Sequence, residues 1–123
     1  MDIVISPSSD KPIYLQIYEQ IAGQVLRSEI APGTKLPPIR TVALDLRISV
    51  IPVKQAWEQL EREGFITTAA GRGTSVAQLA DGEINVMRNN AAERMLIRDV
   101  EACRALGLSY PEIAAIVRKV YTE

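Results

Sequence analysis

The sequence predicts a mainly α fold with one small β-hairpin: a domain of three helices closed by the hairpin, then two further helices. Three observations carry this. Apolar residues recur at spacings of three and four in five separate stretches. The period drops to two in one region, between Phe65 and Ala77, on either side of Gly71-Arg72-Gly73. Prolines and glycines punctuate the chain between these stretches, at Pro32-Gly33, Pro37-Pro38, Gly64 and Gly107.

The elements follow in order. Ile3-Val4-Ile5 is a short β-prone run ended by Ser6-Pro7-Ser8-Ser9. Asp10 is placed to cap a first helix, with Pro12 in its first turn, where a missing N–H costs nothing. Tyr14, Ile17, Ile21 and Val25 are its apolar stripe, Tyr18, one step off it, is placed at the edge of the core or at a subunit contact, and Ala31-Pro32-Gly33 stops the helix near Ile30. Pro32, Pro37 and Pro38 stiffen the connector that follows. Ile39 to Leu46 forms a second helix with Val42, Ala43 and Leu46 inward. Ser49, after the turn Arg47-Ile48, is placed to cap a third helix, with Pro52 still inside its first turn. Val53, Ala56, Trp57 and Leu60 are the buried side of this helix, and Gly64 ends it. Strands Phe65–Thr68 and Thr74–Ala77 then pair around the glycine-bearing tip. Helix, turn, helix and hairpin in this order outline a winged helix-turn-helix domain over residues 1–77.

Residues 78–123 are helical. A fourth helix runs from Asp81-Gly82-Glu83 to about Leu106, with Ile84, Met87, Ala91, Met95 or Leu96, Val100 and Cys103 as a loose apolar stripe. Ser109-Tyr110-Pro111-Glu112 has the form of a capping box and opens a last helix to about Tyr121, with Ile113, Ile116, Val117 and Val120 apolar. Forty-six residues are too few for a ligand-binding domain with its own core. The expectation is a helical hairpin that pairs with the same hairpin of a second chain, a homodimer through Ile84, Met87, Ala91, Val100, Cys103, Ile113, Ile116, Val117 and Val120.

Composition bounds the chemistry. The 123 residues are 47% apolar and 24% charged, a balance that buries one core. Fourteen basic against fifteen acidic residues leave a net charge of −1, so the whole chain does not advertise nucleic acid. Without histidine there is no Ser-His-Asp or Cys-His nucleophile and no His-bearing zinc site. The chain also holds no P-loop and no G-x-S-x-G. Enzyme, metal and cofactor readings therefore have no support. Cys103, the single cysteine, cannot form an internal disulfide. No leader-like start and no long apolar run is present, and a cytoplasmic protein without a membrane segment is expected.

One family fits this order. Pro12-Ile13-Tyr14-x-Gln16-Ile17, Ala31-Pro32-Gly33-x-x-Leu36-Pro37-x-x-Arg40-x-x-Ala43, Ala56-Trp57-x-x-Leu60-Glu61-x-x-Gly64-Phe65-Ile66 and Gly71-Arg72-Gly73-Thr74 resemble the GntR family of bacterial transcriptional regulators. The short helical tail is similar to the YtrA subfamily. The resemblance implies a homodimeric, repressor-like regulator that binds double-stranded DNA, with a small-molecule effector as a further possible partner. It implies DNA contacts by Arg40 at the start of the second helix and by Gly71, Arg72 and Gly73 at the wing tip. Lys35 and Lys54 flank these and suit phosphate, and Ser49 can cap and face phosphate together. Between Gly33 and Trp57, Lys35, Arg40, Arg47 and Lys54 stand against Asp45 alone, a local net charge of +3.

The recognition helix departs from the family. Where members carry polar residues, this chain reads Ser49-Val50-Ile51-Pro52-Val53. Val50 and Ile51 can touch thymine methyl groups and cannot hydrogen-bond a base edge, so readout is expected to be weaker or directed at thymine. A rival reading is a degenerate winged helix serving as a protein-interaction module, with Val50 and Ile51 as an apolar docking spot. The favoured mechanism joins two chains through their tails and holds two recognition helices over half-sites about 10 bp, or a multiple, apart.

Overall fold

In the computed structural model, which describes all 123 residues, seven elements follow one another. They are α1 (Ile13–Leu26), α2 (Ile39–Leu46), α3 (Val50–Arg62), β1 (Ile66–Ala69), β2 (Gly73–Val76), α4 (Glu83–Ala105) and α5 (Tyr110–Thr122). They divide into two units, Met1–Asp81 and Gly82–Glu123. No helix is long and apolar enough to cross a membrane.

The core of the first unit forms where α1, α2 and β1 all pack on α3. Of the stripes expected from spacing, Ile17, Ile21 and Val25 of α1 and Val53, Ala56, Trp57 and Leu60 of α3 are buried, Tyr14 is half-buried, and Ala22 joins the buried side of α1. Val42 and Ala43 close the core from α2, while Leu46 is half-buried. Phe65, Ile66 and Val76 seal it from the hairpin, and full burial of each such side chain is worth about 1.5–3 kcal/mol. Tyr18 corrects the expectation of an edge position. It is buried, its ring meets Phe65 edge-on with centroids 6.3 Å apart, and its hydroxyl donates to the Glu63 carboxylate. An aromatic ring with one polar tip can sit in a core when that tip finds a partner.

The strands pair antiparallel with Ile66 opposite Val76 and Ala69 opposite Gly73, one residue later than expected in β1 and one earlier in β2. A tight turn closed by Arg72 N–H to Ala69 O (2.9 Å) lets pairing reach Gly73, so that glycine belongs to the strand. The connector does more than span. Gly33 N–H donates to Val76 O (2.8 Å), Val76 N–H to Thr34 O (2.9 Å) and Leu36 N–H to Thr74 O (2.9 Å). Residues 33–36 thus line the outer edge of β2 as a third extended segment, with Lys35 opposite Ser75.

The N-terminal run Ile3-Val4-Ile5 is extended and pairs with no strand, because side chains of α1 satisfy its backbone. Gln16, Gln20 and Gln24 each use both amide atoms, accepting from the N–H and donating to the carbonyl of Ser6, Val4 and Asp2 respectively. The fit is geometric: four residues of helix rise about 6.0 Å. Two residues of strand advance about 6.6 Å, close enough for three glutamines to follow alternate peptides. Gln16, the buried polar residue, also donates to Lys11 O at 2.9 Å.

Helix ends show which caps were legible. α1 starts at Ile13 with Pro12 in the cap position, so Asp10 does not cap it. A residue before proline is disfavoured in helical geometry, which keeps the helix from starting as early as Lys11. Ser49 occupies the cap position of α3, yet its side chain makes no capping bond. The N3 residue, a usual donor to such a cap, is Pro52, which has no N–H. At their C-termini α1 to α4 all close with the paired 6→1 and 5→2 bonds of the Schellman motif. Glycine supplies the left-handed residue after α3 (Gly64) and α4 (Gly107); Ser28 and Arg47, at φ 59° and 57°, supply it after α1 and α2. That is why α1 ends at Leu26 rather than near Ile30, whose side chain instead turns into the core.

In the second unit the capping box is complete: Glu112 N–H donates to Ser109 Oγ (3.4 Å) and Ser109 N–H to Glu112 Oε1 (3.0 Å). The Ser109 backbone N–H, then its hydroxyl, hold the Glu112 carboxyl below its ordinary value. The box is therefore fully held above the ordinary carboxylate range and loosens as pH falls through the lowered value. An open apolar groove of about 820 Å³ lies between α4 and α5, with Leu96, Val100, Ile113 and Val117 among its lining residues. Of the residues expected at a dimer interface, Ala91 is already buried in the single chain. Ile84, Met87, Cys103 and Ile113 are half-buried, and Val100, Ile116, Val117 and Val120 are exposed.

These caps and ties give three expected outcomes. Ser28→Gly relieves a left-handed non-glycine residue and raises stability in urea by about 0.5–1 kcal/mol. Gln20→Ala removes both bonds to Val4, costing about 1–2 kcal/mol, and hydrogen exchange at the Val4 amide becomes fast. Ser109→Ala costs about 1 kcal/mol of helix stability, read by circular dichroism, whereas Ser49→Ala leaves the melting temperature unchanged.

Candidate nucleic-acid interface

Successive residues of an α-helix are rotated by about 100°. On α3 this sets Val53, Ala56, Trp57 and Leu60 on the buried side and Ile51, Lys54, Gln55 and Glu58 on one exposed arc. Ile51 points almost directly away from the core and is 70% exposed. Val50, at the edge of the arc, is 44% exposed. Together they put an apolar pair at the exposed start of α3.

Arg40 is exposed in the first turn of α2, the helix that packs on α3. Arg47, also exposed, holds the left-handed position in the turn between them. Ser49 is exposed at the start of α3, and its hydroxyl is not spent on the helix cap. The other residues singled out in the sequence belong to the hairpin sheet. Lys35 is exposed on the segment that lines β2, and Gly71, Arg72 and Gly73 form the exposed tip. Gly71 and Gly73 have φ of 76° and 77°, with open space where a Cβ would stand. Backbone conformation rather than crowding therefore demands glycine at this tip.

Lys35, Arg40, Arg47, Lys54 and Arg72 make no ion pair with the chain's own carboxylates, unlike Lys11 and Arg27, which pair with Glu19 and Glu29. Cations left unpaired on a surface are free to meet an external anion. The structure thus gathers the candidates into two sets on one unit, a helix set (Arg40, Ser49, Val50, Ile51, Lys54) and a sheet set (Lys35, Gly71, Arg72, Gly73). Glu61 ties the two supporting elements, accepting from Thr68 Oγ1 of β1 at 2.9 Å. Gln55 and Glu58 are residues the sequence reading passed over. Their signal was available, since they lie four and seven positions beyond Ile51 on the same helical face.

Known proteins resemble this chain in sequence and in fold. The family model for bacterial regulatory proteins of the gntR family matches residues 13–76. The uncharacterized HTH-type transcriptional regulator YhcF of Bacillus subtilis is 32% identical over 115 residues, covering 94% of this chain and 93% of YhcF. Among solved structures, YtrA from Sulfolobus acidocaldarius, a GntR-family transcription factor, superposes with a TM-score of 0.60 at 32% identity. That match covers 98% of this chain and 97% of YtrA. The DNA-binding domain of AraR, solved in complex with operator ORX1, matches 63% of this chain and 96% of its own at TM-score 0.53 and 25% identity. The match over α1 to β2, the order of helices and hairpin, and the cationic face they carry lead to one conclusion: the chain belongs to the GntR family of bacterial regulatory proteins, DNA-binding transcriptional regulators rather than enzymes.

Proposed function

We propose that this regulator docks α3 in the major groove and the wing tip in the adjoining minor groove, and that two copies joined through Gly82–Glu123 repress transcription from a pseudo-palindromic operator. The observation that carries the reading is the face of α3 opposite the core, solvent-exposed and flanked by unpaired cations. In this docking Arg40, Ser49, Lys54 and Lys35 meet phosphates, which position the domain without reading sequence. Arg72 enters the minor groove, where a guanidinium between two glycines approaches the floor closely. Val50 and Ile51 stand against base edges.

Joining two copies is supported by the second unit's surface. Val100, Ile116, Val117 and Val120 are exposed on helices that bury almost nothing within the single chain, and the groove between α4 and α5 is apolar. A second copy of the same helices covers this surface and fixes the separation of two recognition helices at about 10 bp or a multiple. Repression then follows from occupancy of a promoter. Any effector that turns one copy against the other would move both helices off register.

Fluorescence anisotropy on the DNA upstream of its own gene, beside a scrambled duplex of equal length, tests this. The native duplex is expected to bind with a dissociation constant of about 10⁻⁸ M in physiological salt, far tighter than the scrambled one. Arg72→Ala is expected to weaken binding about tenfold, and Lys54→Ala to weaken it on every sequence while reducing the salt slope by about one phosphate. Equal, weak binding to both duplexes would overturn the proposal. The exposed Val50, Ile51 and Leu44 would then favour a protein-docking surface.

A further inference from the structure

The exposed arc of α3 differs in chemistry from its flanks. Its outermost residue, Ile51, is apolar and 70% exposed, and Val50 beside it is 44% exposed. Neither carries a hydrogen-bonding group. Pro52 removes a further donor, its own N–H, from the first turn of the helix. One turn beyond Ile51, and about 40° around the helix, stands Gln55, exposed, with an amide that both donates and accepts.

These residue types have defined counterparts in the major groove. An apolar side chain at a base edge matches the C5-methyl of thymine, which only an A·T pair presents. A glutamine amide matches N6 and N7 of adenine as a bidentate pair. Guanine suits a cation instead; in the N-terminal half of the arc the cation is Lys54, about 60° from Ile51 toward the side of Val50, and Arg62 follows only three turns on. Glu58 follows on the same arc two turns from Ile51, and its carboxylate disfavours phosphate there. The N-terminal half of α3 is therefore the half that enters the groove.

We infer that α3 reads A·T base pairs, with Ile51, assisted by Val50, seated on a thymine methyl and Gln55 hydrogen-bonded to an adenine edge. The inference rests on the DNA docking proposed above and names the bases that docking selects. It ties specificity to a single methyl group, because thymine offers an isoleucine tip nothing that uracil would not, except that methyl.

The test is selection of duplexes from a randomised pool by the full-length protein, followed by replacement of each thymine in the selected site with deoxyuridine. Burying one methyl group is worth a factor of about four in affinity. The wild-type protein is expected to lose about fourfold at one thymine of each half-site and nothing at the others. Ile51→Ala, an exposed position whose change leaves the core intact, is expected to bind the thymine and deoxyuridine duplexes equally. Gln55→Ala is expected to keep the deoxyuridine effect and to relax the preference for adenine beside it. A selected site that binds with unchanged affinity after every thymine replacement would overturn the inference while leaving specific DNA binding intact. An undiminished deoxyuridine effect in Ile51→Ala would also overturn it, by assigning the methyl's role to DNA shape. A pool that yields no preferred sequence would overturn the DNA docking itself, and this inference with it.

Discussion

The packing of α3 against α1, α2 and β1 determines what the first unit can present to anything outside it. A helix offers about 100° of rotation per residue, so burying Val53, Ala56, Trp57 and Leu60 leaves no freedom in which residues face out. Turning α3 by a single position would swing Lys54 toward the core. Several kilocalories per mole of apolar burial would be lost and an ammonium group would approach an apolar interior without a partner. The arc Ile51–Gln55–Glu58 is therefore held in place by the buried side chains on the opposite side of the helix. The same packing carries Arg40, because α2 rests on α3 through Val42 and Ala43.

The wing depends on a different kind of constraint. Its two strands are four residues each, too short to persist alone. Three further features support them: the connector along the outer edge of β2, the buried side chains Ile66 and Val76, and the Thr68–Glu61 bond back to α3. Through the connector, Lys35 and Arg72 sit on one small sheet although they lie far apart in the chain. A charge of −1 for the whole protein and +3 between Gly33 and Trp57 are thus compatible. The local field at a docking face matters more than the total at separations within a Debye length of about 8–10 Å.

The second unit has the opposite economy. The Ser109–Glu112 box caps the start of α5 and Gly107 closes the end of α4, while the apolar residues of both helices are largely left to solvent in the single chain. Good local signals with little burial mean that local propensity and caps, more than packing, hold these helices in the single chain. This separates the tasks of the two units: one is finished by its own core, and the other carries apolar surface that a second copy can cover.

Signals confined to one element were legible in the sequence: the apolar stripes of α1 and α3, the bounds of α2, the capping box of α5, the glycines that end α3 and α4, and the hairpin. Each depends on residues within a few positions of one another, where side-chain chemistry and backbone propensity act directly. The candidate DNA-facing residues were named from the resemblance and from charge, but Gln55 was passed over although its position was readable from Ile51. Tertiary structure alone decided the rest. Ser28 and Arg47 take left-handed conformations that neither residue type announces. Residues 33–36 become the edge of a sheet whose partner lies some forty positions on. The β-prone Ile3-Val4-Ile5 finds no strand because Gln16, Gln20 and Gln24, three polar residues that look like a solvated helix face, bind the peptide groups of the N-terminal segment instead. Pairings over long sequence separations, and polar side chains that can serve either water or backbone, are settled only when the whole fold brings the alternatives together.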